Sequence, residues 1–299
     1  MKIGIIPNID KENIVNVIER IVTLLKAENL DYVICDSMLK FRGQFSQILK
    51  DSQYEKSKNV IKYSDMVVSV GGDGTMLHTA YEVWNYSTPM LGVNIGKLGF
   101  LAEFDLESFS QFVKEVKSNN YVIDERMALA AVCNGSKEEL FAINDIVIDK
   151  GQWSKMIEIT IKVDENYVAT FSADGIIVAT PTGSTGYSLS TGGPIVSPKA
   201  DAITLSPIAP HTLTIRPLVL SSRQNVLLFV KSPIDKIRIS LDGQRVSYFD
   251  SPLTVSIKRS EKPVRLVHSA KTDYFQILRN KLYWGLDLRT INNKKSSVT

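Results

Sequence analysis

The run from Asp65 to Trp84 constrains the fold more than any other stretch of this chain. Met66, Val67, Val68, Ser69 and Val70 make a short, largely β-branched run, the composition of a strand buried in a parallel sheet. It stops at Gly71-Gly72-Asp73-Gly74-Thr75, after which Met76, Leu77, Ala80, Val83 and Trp84 fall at helical spacing. Strand, glycine turn and helix in that order belong to an open α/β sheet.

At such a junction, backbone N–H groups and the positive end of the helix dipole face a crevice, and phosphate is the natural guest. Gly71, Gly72 and Gly74 can take positive φ and let the main chain approach phosphate oxygens closely. Asp73 adds a carboxylate to a site otherwise suited to anions. It could hold Mg²⁺ beside the phosphates or take a proton from an attacking hydroxyl. A plain Asp-Gly turn with a solvated side chain reads these residues as well.

Around this centre the α/β pattern continues. Lys2 to Ile6 reads as a first strand, and Ile14, Val17, Ile18, Ile21, Leu24 and Leu25 mark one face of a helix. Tyr32 to Cys35 reads as a second strand, and residues 36 to 60 as a long loop with a partial helix. Met90 to Val93 is a fourth strand running into a second glycine-rich loop with Gly92, Asn94, Gly96, Gly99, Phe100 and Leu101. Two such loops would line one crevice. Phe109, Phe112, Val113 and Val116 form a helical stripe that reads as core packing.

From about Tyr121 the period changes. Ile157, Ile159, Ile161 and Val163 alternate with polar residues, as do Ile237, Ile239 and Leu241, and turn signals at Asp164 to Asn166 and Asp242-Gly243 separate short strands as far as about Val267. Residues 272 to 284 return to helical spacing through Phe275, Leu278 and Leu282, a helix able to pack back on the first domain. A chain of 299 residues suits about two domains. The expected division is residues 1–120, joined by about 268–299, against a β-rich domain of residues 121–267.

The β region carries a second constellation. Asp174-Gly175 precedes the apolar run Ile176 to Ala179, which ends in Thr180-Pro181-Thr182-Gly183-Ser184-Thr185-Gly186-Tyr187, with Gly192-Gly193-Pro194 close behind. Hydroxyl donors, close backbone approach and an aromatic face suit an adenine or ribose ligand, while a turn with a packed tyrosine is the alternative. Asn144-Asp145 interrupts an apolar run from Phe141 to Ile148. A buried carboxylate there costs several kcal/mol, roughly, unless it is paired or faces a ligand; a solvated edge pair or bulge is the other reading. His211, between Ser206-Pro207 and Arg216-Pro217, reads as part of a packed loop.

Composition excludes several classes. With 35 basic and 32 acidic residues the charge is too even to suggest a nucleic-acid or membrane surface. Lys294 and Lys295 lie in a polar tail expected to fray. Cys35 and Cys133, far apart in sequence, suit reduced thiols and a cytoplasmic address. The apolar run Ile3 to Ile6 is too short for a signal segment, and no later stretch is long enough to cross a bilayer. Three histidines without HExxH or paired CxxC make a protein-built zinc site unexpected.

Taken together, Gly71 to Thr75, Gly92 to Leu101, Asn144-Asp145, Asp174-Gly175, Thr180 to Tyr187 and Gly192-Gly193-Pro194 resemble the NAD kinase family, in that family's order and over most of the chain. The GGDGT run is shared with lipid kinases and resembles the phosphofructokinase loop; the TPTGSTGY run is the more specific. The resemblance implies a Rossmann-like, phosphofructokinase-like α/β N-terminal domain, an all-β C-terminal domain and a C-terminal helix returning to the first. It also implies an active site between domains and often between subunits, with a homo-oligomer, dimer or tetramer. ATP would phosphorylate the adenosine-ribose 2′-hydroxyl of NAD to give NADP, with Mg²⁺ or another divalent cation carried by the nucleotide phosphates.

Carried over by position, Asp73 is the proton acceptor, and Gly72 and Gly74 lie beside the nucleotide. Asn144 and Asp145 contact the adenosine part, where the family more often has Asn-Glu. Asp174 is a polar ligand contact, while Thr185, Gly186, Tyr187, Ser188, Leu189 and Ser190 wrap the dinucleotide with Tyr187 against a base. His78, Lys155 and Gln244 match more variable binding positions. Another GGDGT kinase acting on a lipid or sugar hydroxyl, and a non-catalytic NAD or NADP sensor, remain competing readings. The chain lacks GxxxxGK[ST], and Leu77 stands where a dinucleotide-binding GxGxxG would need its third glycine.

Overall fold

The computed structural model describes residues 1–96, 99–134, 136 and 138–285. Lys97 and Leu98 of the second glycine loop and the Lys294-Lys295 tail lie outside them. The chain divides into two compact units, one of residues 1–76, 88–124 and 267 onward, the other of residues 77–87 and 125–266.

In the first unit the central strands Lys2–Pro7, Met66–Gly71 and Met90–Asn94 are buried on both faces, as strands of a helix-covered parallel sheet are. The strand order is Tyr54–Glu55, Asp31–Cys35, Lys2–Pro7, Met66–Gly71, Met90–Asn94, Val264–Ser269 and Tyr121–Arg126. The Met66–Gly71 strand is buried throughout and pairs in parallel with Lys2–Pro7 on one side and Met90–Asn94 on the other. The helices Ile14–Ala27 and Leu106–Lys117 bury the expected stripes, and Asp105 caps the second of them by accepting from Ser108 N at 2.8 Å.

Several expectations are corrected here. Residues 36 to 60 are a 3-10 helix at Asp36–Gln44, short helices at Gln47–Lys50 and Ser57–Lys62, and the edge strand Tyr54–Glu55, so Met90–Asn94 is the fifth strand. Tyr121–Arg126 and Val264–Ser269 join the first sheet, although the alternation of their residues resembles that of the β region. In the helix Tyr274–Leu282 only Leu278 is buried, and Phe275, expected on the packed stripe, is 55% exposed.

In the second unit the alternating runs build two six-stranded sheets. One runs Asn166–Ala173, Ile157–Val163, Val226–Lys231, Leu253–Arg259, Leu129–Cys133, Glu139–Ala142; the other Leu218–Ser221, Ala202–Ile208, Gly175–Ala179, Asp145–Asp149, Lys236–Leu241, Arg245–Asp250. Pairing throughout both is antiparallel. Ile157, Leu228 and Val255 of one sheet share a core with Ile148, Ile176 and Ile239 of the other, the arrangement of a sandwich. Ser206 and Pro207, expected in a loop, belong to the strand Ala202–Ile208.

Candidate functional site

In the first unit the Met66–Gly71 strand ends at the glycine turn and Asp73 opens the helix Asp73–Trp84. No positive φ occurs at Gly71 or Gly72, and Gly74 lies within the helix. Gly71 serves close packing instead: a Cβ on it would stand 2.2 Å from Thr75 Oγ1, whereas one on Gly72 would meet only Asn94 Oδ1 at 3.8 Å. Thr75 Oγ1 in turn accepts from Asn8 Nδ2 at 3.1 Å and from Gly72 N at 3.4 Å, tying the turn to the end of the first strand.

The Asp73 carboxylate does not stand free. Phe100 N donates to Oδ2 at 2.8 Å, and Leu101 N and Ala102 N each donate to Oδ1 at 3.0 Å. Gly99 is required beneath it, because a Cβ there would fall 1.7 Å from Asp73 Oδ1. The second glycine loop is thus folded around the aspartate of the first. A carboxylate offers about four acceptor positions, so among the described residues these three donors leave about one, on Oδ2.

In the second unit, Asn144 and Asp145 stand where the chain passes from the strand Glu139–Ala142 to the strand Asp145–Asp149. The register Ala179 to Asp145 then brings the hydroxyl-rich loop against them. Thr180 N donates to the Asn144 carbonyl at 2.9 Å, Thr180 Oγ1 to the Ile143 carbonyl at 2.6 Å, and Gly183 N to Thr180 Oγ1 at 3.1 Å. Gly183 has to be glycine, since a Cβ would lie 2.0 Å from the Asn144 carbonyl oxygen.

Asp145 is 5% exposed, so the solvated edge-pair reading fails. Burial first, and the nearby Asp242 charge second, push its carboxyl up to about 7. Asn144 Oδ1 is buried and has no hydrogen-bond partner among the described residues. Such an acceptor costs about 1–3 kcal/mol unless something supplies a donor.

The hydroxyl-rich loop itself is a 3-10 helix, Thr182–Thr185, followed by a helical turn, Tyr187–Ser190. Tyr187 is 48% exposed and is not a packed tyrosine. Gly186 and Ser190 are exposed and Thr185 and Leu189 half-buried, whereas Ser188 points inward and shares a 2.8 Å hydrogen bond with Ser206.

Other expected positions lie further along. Asp174 precedes the far end of the ladder, where Gly175 pairs with Asp149, about 14 Å from Asp145 by strand rise. It is bound by Lys150 Nζ at 2.7 Å, and the Lys155 side chain follows in an exposed loop. Tyr187 lies within electrostatic reach of Arg238, which forms a two-bonded pair with Asp149 at that same end. Gln244, exposed, follows the Asp242-Gly243 turn beside Asp145, and His78 is exposed on the helix Asp73–Trp84. Asp242 and Arg245 carried no signal beyond a hairpin turn.

A nucleotide-type loop on a parallel sheet, joined in one chain to a sandwich carrying a polar, hydroxyl-lined ladder end, defines a two-unit nucleotide-handling protein. Residues 3–121 match the profile of the ATP-NAD kinase N-terminal domain, and residues 143–269 that of the ATP-NAD kinase C-terminal domain. The chain is 36% identical over 287 residues to an NAD kinase of Chlorobium phaeobacteroides, covering 95% of this chain and 98% of that one. It is 37% identical over 290 residues to an NAD kinase of Geotalea daltonii, covering 95% and 99%. Among solved structures, an NAD kinase from Archaeoglobus fulgidus in complex with ATP superposes with a TM-score of 0.74 at 27% identity, covering 95% of this chain and 99% of that one. Yeast NADH kinase complexed with NADH superposes with a TM-score of 0.88 at 24% identity, covering 96% and 88%, a likeness of fold. The chain belongs to the NAD kinase family.

Proposed function

We propose that this protein transfers the γ-phosphate of ATP to the adenosine-ribose 2′-hydroxyl of NAD, making NADP. The observation that carries the reading is the buried Asn144 Oδ1 beside Asp145, an acceptor to which no described residue donates, at the edge of a hydroxyl-lined loop. An adenosine group supplies both amine and hydroxyl donors. Tyr187 offers an exposed aromatic face for a base. On the phosphate side, Asp73 takes the proton of the attacking hydroxyl at the acceptor position that its loop hydrogen bonds leave on Oδ2, and the helix N-terminus favours the phosphates.

Among the described residues no group of three or more His, Cys, Asp or Glu side chains could hold a metal ion. The resemblance implies Mg²⁺ or another divalent cation carried by the nucleotide phosphates, where it would neutralise charge. A pure sensor role is disfavoured by the intact Asp73. No helix among the described residues is long and apolar enough to cross a membrane. A homo-oligomer is supported by the exposed Val219, Val246 and Tyr248 on the two edge strands of one sheet.

The test is the purified protein with ATP, Mg²⁺ and NAD, the product identified by mass. NADP is expected. Unchanged NAD with ATP consumed on a diglyceride or sugar phosphate would replace this reading with another kinase, and binding without turnover would make the protein a sensor.

A further inference from the structure

Asp242 opens the two-residue turn Asp242-Gly243, at φ values of 54 and 67. An aspartate in such a turn ordinarily points into water. The side chain of this one is 1% exposed. Its Oδ1 accepts from Asn144 N at 2.7 Å and Asp145 N at 3.3 Å, and its Oδ2 from Ile143 N at 3.3 Å. Three consecutive N–H groups at the break between strands therefore converge on one carboxylate.

Arg245 closes the other side. Its Nη2 donates to Asp242 Oδ2 at 3.0 Å and to the Phe141 carbonyl at 2.7 Å, while its guanidinium lies 3.9 Å from the centre of the Tyr81 ring. Tyr81 and Trp84 both pack on the Phe141 ring. Joining strands alone would not require this arrangement, because a buried ion pair is often matched or bettered in stability by apolar residues of the same volume. What it supplies is one fixed direction for the Asn144-Asp145 peptide.

We propose that Asp242, held by Arg245 and Tyr81, is a positioning residue that aims Asn144 and Asp145 at the adenosine end of the dinucleotide while touching no substrate itself. The inference rests on reading Asn144-Asp145 as the adenosine contact. Among the described residues the charged group acting on the Asp145 carboxyl is Asp242 of the hairpin, itself paired with Arg245; Ala179 across the ladder and Gly186 of the loop bring no charge. Replacing Asp242 by asparagine thus removes a negative charge from beside Asp145 and one of the two acceptor oxygens that the three N–H groups and Arg245 share.

The experiment compares Asp242→Asn, Arg245→Met and Arg245→Lys with the wild type, varying NAD and ATP separately from about pH 6 to about pH 8.5 and recording melting curves in parallel. The expected result is an NAD KM raised at least about tenfold in Asp242→Asn and Arg245→Met, with kcat and the ATP KM within about threefold. Arg245→Lys should recover most of the affinity. In Asp242→Asn the pH at which the NAD KM changes should move downward, a shift that a merely structural role would not produce. An unchanged NAD KM in folded Asp242→Asn overturns the proposal. So does a loss confined to kcat and melting temperature, with Arg245→Lys no better than Arg245→Met. If Asp242→Asn fails to fold, an Arg245→Met enzyme with wild-type NAD KM is the overturning result. A wild-type protein that makes no NADP contradicts the functional reading instead, and NAD titration of the same variants then decides the positioning role.

Discussion

Asp73 and Asp145 each stand at a chain turn beside a sheet, and their surroundings are opposite in kind. To Asp73 the three N–H groups of Phe100, Leu101 and Ala102 donate. Beside Asp145 stands another acid, and Asp242 takes both the neighbouring N–H groups and the Arg245 guanidinium. The first aspartate is braced by a loop, whereas the second is buried by a sandwich and left to hold its proton to about 7. Carboxylates that look alike in sequence are thus set for different work by who donates to them.

The largest expected effect breaks the Asp73 side of that comparison. Asp73→Asn should lose about 10² to 10⁴ in turnover while still binding dinucleotide, the range typical of a positioned base. The structure adds a second consequence, since an amide accepts through one oxygen only and sets an NH₂ against a backbone N–H. Amides 100 to 102 should exchange faster with solvent, and stability should fall by about 1–3 kcal/mol. Turnover near the wild-type level would remove the base assignment; lost turnover with unchanged exchange would leave the loop contact without consequence.

Next comes the Asp145 side, where the sign is fixed by linkage. Its folded pKa of about 7 lies above the ordinary 3.8, so between those values the folded chain keeps a proton that the unfolded chain has released. Its stabilising contribution is complete at low pH and is lost as pH rises towards 7, by about 1.4 kcal/mol per pH unit at most. Asp145→Asn should therefore gain in melting temperature relative to wild type between pH 5 and about 7.5. Parallel melting curves that stay equally spaced across this range would contradict the raised pKa.

A smaller effect separates affinity from stability. Asn144→Ala removes a buried acceptor that has no partner among the described residues, so the melting temperature should hold or rise. NAD affinity should nevertheless fall about 5- to 150-fold, the equivalent of about 1–3 kcal/mol, measurable by titration. Unaltered affinity would mean that no ligand donor reaches this oxygen.

Why one side of the comparison was legible in the sequence and the other was not follows from the kind of contact involved. Met66 to Val70 and the alternating Ile157 to Val163 declare themselves, because strand period and composition are written in side chains. The Asp73 brace is made by main-chain N–H groups of Phe100, Leu101 and Ala102, which no residue type signals. Asp242 looked like any hairpin aspartate, and its partners Arg245 and Tyr81 are far apart in sequence and meet only in the folded unit. Tyr54–Glu55 is too short to show a period. Tyr121–Arg126 alternates as an antiparallel strand would, and only the topology assigns it to the first sheet.

The smallest expected effect sharpens the reading of the hydroxyl-rich loop, where neighbours in sequence point opposite ways. Ser188 is fully buried and bonded to Ser206, whereas Tyr187 is half exposed. Ser188→Ala should cost about 1 kcal/mol, because Ser206 Oγ loses its partner in a dry setting, and should leave the NAD KM unchanged. Tyr187→Ala should do the reverse, raising the NAD KM by the roughly 1–3 kcal/mol of a lost base stack with little change in melting temperature. A Ser188→Ala enzyme with weakened NAD binding and wild-type stability would show that the inward hydroxyl turns out to meet the ligand, and the division of this loop into a packed face and a binding face would have to be redrawn.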